Sequence, residues 1–134
     1  MHAALKKLLY KGQDPILVMN APALYSPFLG GLACRIDTRP RGKYGFIQLF
    51  AATRAELEPK LDAALAALDG DSVFWICYPK KTSKSYTSDL SREIIWAMVQ
   101  ERGFEGVAMV AIDEDWSAFR VRVASLVKNT SRHS

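Results

Sequence analysis

Between Lys80 and Lys84 the chain reads Lys-Lys-Thr-Ser-Lys, directly after an apolar run and directly before a helical pattern. Ammonium groups, hydroxyls and the unpaired amides of a helix N-terminus are the donors that hold a phosphate or a carboxylate. The spacing is not that of a P-loop. The glycines of G-x-x-x-x-G-K-[ST] are missing, and Lys80 precedes the loop instead of opening the helix. The competing reading is a solvated loop whose lysines pair with Asp113, Glu114 and Asp115 in the turn of a neighbouring hairpin. Exposed pairs of that kind contribute roughly 0–1 kcal/mol each.

In open parallel sheets, ligands sit beyond the carboxyl ends of the strands. That rule places Asn20, Tyr25, Asp37, Thr53 and Arg54 on one rim with Lys80, Lys81, Thr82, Ser83 and Lys84, and with Asp113 and Trp116. Trp116 begins a strand on which Arg120 and Arg122 share its side, so its ring could stack on a base. The commoner role of such a tryptophan is to fill space under a loop. Trp75 and Trp96 fall inside apolar patterns and read as core, and Tyr78 and Tyr86 flank the lysine loop.

Several chemistries are disfavoured. The only histidines, His2 and His133, lie near the termini, away from any core that could orient a Ser-His-Asp or Cys-His pair. Cys34 and Cys77 sit in separate apolar runs, without C-x-x-C or metal-ligand spacing, and read as buried thiols. No metal site and no cofactor is expected.

These residues need a scaffold, and the hydrophobic pattern supplies one. Ala4, Leu5, Leu8 and Leu9 predict a short opening helix, stopped by Gly12 and Pro15. Ile16–Pro22, Leu32–Asp37, Tyr44–Ala52 and Ser72–Pro79 predict four strands, the first and fourth continuously apolar, as in a parallel sheet. A short helix is expected between the first two. "TRAELEPKLDAALAALDG" predicts a helix capped by Thr53 with Glu56 three residues on, striped by Leu57, Leu61, Leu65 and Leu68, and ended by Asp69-Gly70. A further helix is expected from Thr87, Ser88 or Asp89 as N-cap to about Arg102, and "VAMVAIDEDWSAFRVRV" predicts a closing hairpin. Alternating strands and helices imply a three-layer α/β sandwich with a mostly parallel sheet.

The 134 residues fit a single domain over 1–124, with 125–134 as a polar, flexible tail. A net charge of +4 permits an anionic ligand. The lysines are too scattered for a nucleic-acid face. No signal-peptide pattern and no apolar run of bilayer length are present, which reads as a cytoplasmic protein without membrane attachment. An exposed edge at the second strand would offer a homodimer contact.

Two resemblances follow from longer stretches. "NAPALY", "TRAELEPKL", "ICYPKKTSKSYTSDLSR" and "VAIDEDWSAFRVR" resemble a family of short, uncharacterised bacterial proteins, which implies no established activity. The element order, ending in "GFEGVAMVAIDEDWSAFRVRV", resembles a shortened Rossmann-like methyltransferase. That resemblance implies six strands in the order 2-1-3-4-6-5, the last antiparallel. The chain departs from it where the cofactor would bind. The turn after the first strand reads "NAPALYSPFLGG", with Pro22 where a flexible glycine belongs and Gly30-Gly31 too late to cradle a nucleotide. Asp37 sits where an acidic residue would hold a ribose, although aspartate at a strand end is commonly a turn former. The expected function is a small binding or interaction protein on a degenerate methyltransferase-like scaffold. The alternative is an enzyme or sensor of a phosphorylated or nucleotide ligand at the Lys80–Lys84 loop.

Overall fold

Apolar runs too short for a buried helix become strands, and the computed structural model assembles six of them into one sheet. It describes residues 8–22, 25, 32 and 34–125. The strands are β1 (Ile16–Met19), β2 (Ile36–Asp37), β3 (Tyr44–Phe50), β4 (Leu68–Pro79), β5 (Phe104–Ala111) and β6 (Trp116–Val123). The helices are α1 (Arg54–Ala66), between β3 and β4, and α2 (Arg92–Gln100), between β4 and β5. The sheet order is β2-β1-β3-β4-β6-β5. Pairing is parallel from β2 to β4, and β6 is antiparallel to both β4 and β5. This is the mostly parallel α/β architecture the hydrophobic runs imply.

Both helices cover the same face. Leu57, Leu61 and Ala64 of α1, with Ile95, Met98 and Val99 of α2, pack on Leu17, Ile47, Phe74, Ile76 and Phe119. The opposite face carries Ile16, Val18, Phe46, Phe50, Trp75, Cys77 and Ala118. Its described cover is irregular chain, including Leu8, Tyr25 and Tyr86. Leu8 is fully buried there, and its carbonyl accepts the indole N–H of Trp75 at 2.7 Å. The expected opening helix and the short helix after β1 lie largely outside the described residues, as does the tail beyond Ser125.

Local chemistry moves several expected boundaries. β2 is only two residues long, not six. Before it, the amide of Arg35 donates to the carboxylate of Asp14 at 3.0 Å, and so is spent outside the sheet. Asp69-Gly70 does not close α1. The helix stops at Ala66, and Leu68 already pairs with Tyr44 as β4 begins. Gly70 holds φ at +63°, within a strand start that Ser72 braces by donating to the Tyr44 carbonyl at 2.7 Å. The Thr53 cap stands, its hydroxyl accepting the Glu56 amide at 3.2 Å. The Glu56 carboxylate turns back one residue further than in a standard capping box, to the Ala52 amide at 2.7 Å. Pro59 is accommodated inside α1.

The N-cap of α2 is Ser91, not Thr87, Ser88 or Asp89. Those residues are committed elsewhere or left in the loop. The Ser88 hydroxyl accepts the Leu90 amide at 3.0 Å. The Asp89 carboxylate accepts the Arg54 amide at 2.8 Å, so it serves the N-terminus of α1 instead.

Candidate functional site

The strand order reverses at β1, which has β2 on one side and β3 on the other. In open α/β sheets the ligand crevice lies outside the carboxyl ends of the strands at such a switch point. Here the described residues near that position contact one another. The Asn20 amide Nδ2 donates to the Phe50 carbonyl at 2.9 Å, tying the end of β1 to the end of β3. Asn20 itself has φ at +60°, so the turn takes the left-handed conformation without a glycine. Tyr25 packs on Phe50 with ring centroids 4.7 Å apart. Phe50 meets Trp116 at 5.4 Å, and Trp116 meets Tyr86 at 5.0 Å.

Four rings thus form a chain across the ends of β3 and β6. Tyr25 and Trp116 are only 3 % and 6 % exposed. Gln48 Nε2 donates to the Tyr25 hydroxyl at 2.6 Å. Burial pushes the Tyr25 phenol well above the usual tyrosine range, so it stays protonated. The void left between Tyr25, Tyr86, Asp113 and Trp116 is about 20 Å³. A single water needs roughly 10–15 Å³ on such a measure, so the space takes a water and not a cofactor.

Tyr25, Asp113 and Trp116 are therefore brought together, lining one small void. The Asp113 carboxylate accepts the amides of Asp115 and Trp116 at 2.8 and 2.9 Å and so builds the hairpin turn. Asp37 is separate. Three strand spacings divide β2 from β4, about 14 Å. Its carboxylate accepts the Tyr44 hydroxyl and pairs with the Arg35 guanidinium at 3.1 Å. The Tyr44 hydrogen bond, followed by Arg35, holds the Asp37 carboxyl below the usual aspartate range. Thr53 caps α1, and Arg54 pairs with Glu58 at 3.2 Å.

The lysine loop is fastened to the hairpin by neutral donors. Pro79 pairs with Trp116, so the loop leaves β4 beside the start of β6. The Lys80 amide donates to the Asp115 carbonyl at 2.7 Å, and the Ser83 hydroxyl donates to the Asp115 carboxylate at 2.8 Å. Ser83 Oγ in turn accepts the amides of Ser85 and Tyr86 at 3.2 and 3.1 Å. Ser83 is a bracket for the loop, not a free ligand donor. Among the described residues, no ion pair joins Lys80, Lys81 or Lys84 to Asp113, Glu114 or Asp115. The pairing expected of a merely solvated loop is absent, and a serine makes the contact instead.

Two hollows flank Lys80 and Lys81. One of about 390 Å³ lies toward α2, lined by Lys80, Lys81, Thr82, Ser91, Arg92 and Glu93 over a floor of Tyr78, Leu90, Met109 and Ser117. Another of about 360 Å³ lies toward Ser83, Tyr86, Thr87 and Ser88. The amino end of α2 faces the first, with Ser91 Oγ already accepting the Ile94 amide at 3.2 Å. Glu93 occupies the first turn and raises the Tyr78 phenol, after burial, which acts more strongly. Among the described residues no cluster of His, Cys, Asp and Glu could hold a metal ion.

Sequence reasoning missed two features. Trp96 is not simply core, since its indole donates to the Glu105 carboxylate at 2.7 Å. Gln48 is fully buried mid-strand in an apolar run, which is where a buried polar residue signals a partner.

The chain resembles a solved structure over nearly its whole length. A crystal structure described as a "putative Methyltransferase" from Pseudomonas syringae superposes with a TM-score of 0.52 at 16 % identity, covering 89 % of this chain and 92 % of that one. That likeness supports a methyltransferase-like fold. No family model and no curated protein matches the chain, so the resemblance to a short bacterial family gains no support. No helix among the described residues is long and apolar enough to cross a membrane.

Proposed function

We propose that this chain is a small binding protein on a methyltransferase-like scaffold whose cofactor position is given over to its own aromatic side chains. The observation that carries this reading is Tyr25, buried over the end of β3, packed at a tilt against Phe50 and bonded to Gln48. A nucleotide at the switch point needs close approach of the backbone after β1, and that turn carries Asn20 and Pro22 without glycine. The test is a thermal-shift series with S-adenosylmethionine, S-adenosylhomocysteine, NAD and ATP. A ligand present at 100 times its dissociation constant would add about 2.7 kcal/mol of stability. No shift is expected with the methyl donor or its product, and a saturable shift with either would overturn the reading.

A second reading is favoured by lysines that form no ion pair among the described residues, beside a hollow of about 390 Å³ at the start of α2. In that reading a small phosphorylated compound is bound by Lys80, Lys81 and Arg92. Inorganic phosphate and sugar phosphates would then stabilise the wild type and not a Lys80/Lys81/Lys84→Ala variant. Equal responses of the two proteins would exclude it.

A further inference from the structure

The hollow at the start of α2 carries more than an anion needs. Lys80, Lys81, Thr82 and Ser91 line its polar side. Ser91 Oγ accepts the Ile94 amide, which leaves its O–H to donate. Glu93 also lines it, but its carboxylate pairs with Arg92 at 3.3 Å, so the two lysines set the net charge. The floor of Tyr78, Leu90 and Met109 is mostly apolar, and a bare phosphate would leave it wet. A second hollow, of about 250 Å³, shares Arg92 and Met109 with the first. It reaches Trp96, one turn or about 6 Å further along α2. Gly106, Val107, Ala108 and Phe119 complete it, and Arg92 alone among its described lining is charged. The Trp96 indole N–H is spent on Glu105 at 2.7 Å, so the ring offers only apolar surface. Val107 and Met109, the exposed large hydrophobics among the described residues, both line this second hollow.

We propose that the two hollows form one site for an amphiphilic phosphate monoester, its phosphate at Lys80 and Lys81 and its straight apolar tail running past Met109 to Trp96. Charge decides which end is which, because the lysines line the first hollow and not the second. Met109 stands at the boundary, with the Tyr78 hydroxyl 3.8 Å from its sulfur. An unbranched thioether adapts its rotamers easily, so it can move aside for a tail and then pack on it. Met109 and Gly106 are three residues apart on β5, about 10 Å, which suits a tail of about eight carbons. A mostly apolar lining with a few placed polar groups, at several hundred Å³, is the usual make-up of a small-molecule site. The tail gives Val107 and Met109 the cover that a bare anion does not.

This inference rests on the second reading above and names what the phosphate is attached to. The test is calorimetric titration of the full chain with ethyl phosphate and with octyl phosphate, the latter kept below its micelle concentration, with NMR to locate each. Octyl phosphate is expected to bind at least tenfold tighter. Each buried methylene is worth roughly fourfold, so tenfold asks for only about two of the added carbons to be covered. Both compounds should shift the Lys81 and Thr82 amides, and octyl phosphate alone the Trp96 indole and the Gly106 amide. Val107→Asp, at an exposed position, should remove the octyl advantage and leave ethyl phosphate binding unchanged, which also shows that the variant is folded. Lys80/Lys81→Ala should weaken both compounds at least tenfold. Equal affinities in the wild type would overturn the inference and leave the phosphate reading standing, whereas binding of neither compound would overturn both. An octyl advantage that survives Val107→Asp, or octyl binding that survives Lys80/Lys81→Ala, would also overturn the inference.

Discussion

The side-chain amide of Gln48 donates to the phenol of Tyr25 across 2.6 Å, and neither residue is more than 3 % exposed. Gln48 belongs to the middle of β3, and Tyr25 to the segment that follows β1. The pair therefore holds an aromatic ring over the switch point of the sheet, where this architecture otherwise admits a ligand. Removing the Tyr25 hydroxyl strands a buried amide donor. Tyr25→Phe is expected to cost about 1–3 kcal/mol in urea unfolding. A double-mutant cycle with Gln48→Leu should give a coupling above about 0.5 kcal/mol. Additive single effects would mean the bond contributes nothing.

Ser83 is the residue that shapes the lysine loop. Its hydroxyl donates to Asp115 and accepts two loop amides. Ser83→Ala should lower stability by only about 0.5–1.5 kcal/mol. It should speed hydrogen exchange at the Ser85 and Tyr86 amides far more than at β4. Unchanged exchange there would show that the loop is held by something else.

Gly106 sits under the ring of Phe119. A Cβ placed on it would lie 1.9 Å from the ring's far carbon, and Phe119 is itself only 2 % exposed beside Trp96. To make room the ring must shift against Trp96 or into the neighbouring hollow of about 250 Å³. Gly106→Ala should therefore cost about 1–3 kcal/mol, as overpacking does. Adding Phe119→Leu should recover part of that loss. A neutral Gly106→Ala variant would contradict the packing described.

Asp37 gives an acid-side pH dependence. Its carboxyl is held below the usual value, chiefly by the Tyr44 hydroxyl and then by Arg35. A carboxyl depressed in the folded state stabilises it above the unfolded pKa, and that stabilisation fades as pH falls through the folded pKa. The loss falls below about pH 4. Tyr44→Phe should raise the Asp37 midpoint in an NMR titration and shrink the acid-linked loss of stability, because the folded pKa then lies closer to the unfolded one. An unmoved midpoint would assign the depression to Arg35 instead.

Much of the scaffold was legible from continuous apolar runs. Ile16–Met19 and Phe74–Tyr78 are buried from both faces, and only a strand inside a covered sheet needs that pattern. The hairpin was legible from Asp113-Glu114-Asp115 between two such runs, and Trp116 at its far side is buried against Phe50 and Tyr86. The α2 cap was not legible. Four candidate caps stand between Thr87 and Ser91, and the choice depends on Asp89 being drawn to α1, a contact 35 residues away in sequence. Tyr25 was placed on the rim as a ligand contact because nothing local marks it as core. Its burial depends on Phe50 and Gln48, which only the tertiary fold brings near.

The most direct test of the account is a titration of the isotope-labelled protein with S-adenosylhomocysteine, followed by amide NMR at Met19–Ala21, Tyr25 and Phe50–Ala52. The account predicts that these signals do not move at millimolar ligand, because Tyr25 already occupies the site. Saturable shifts confined to those amides would contradict it and restore the switch point as a cofactor site.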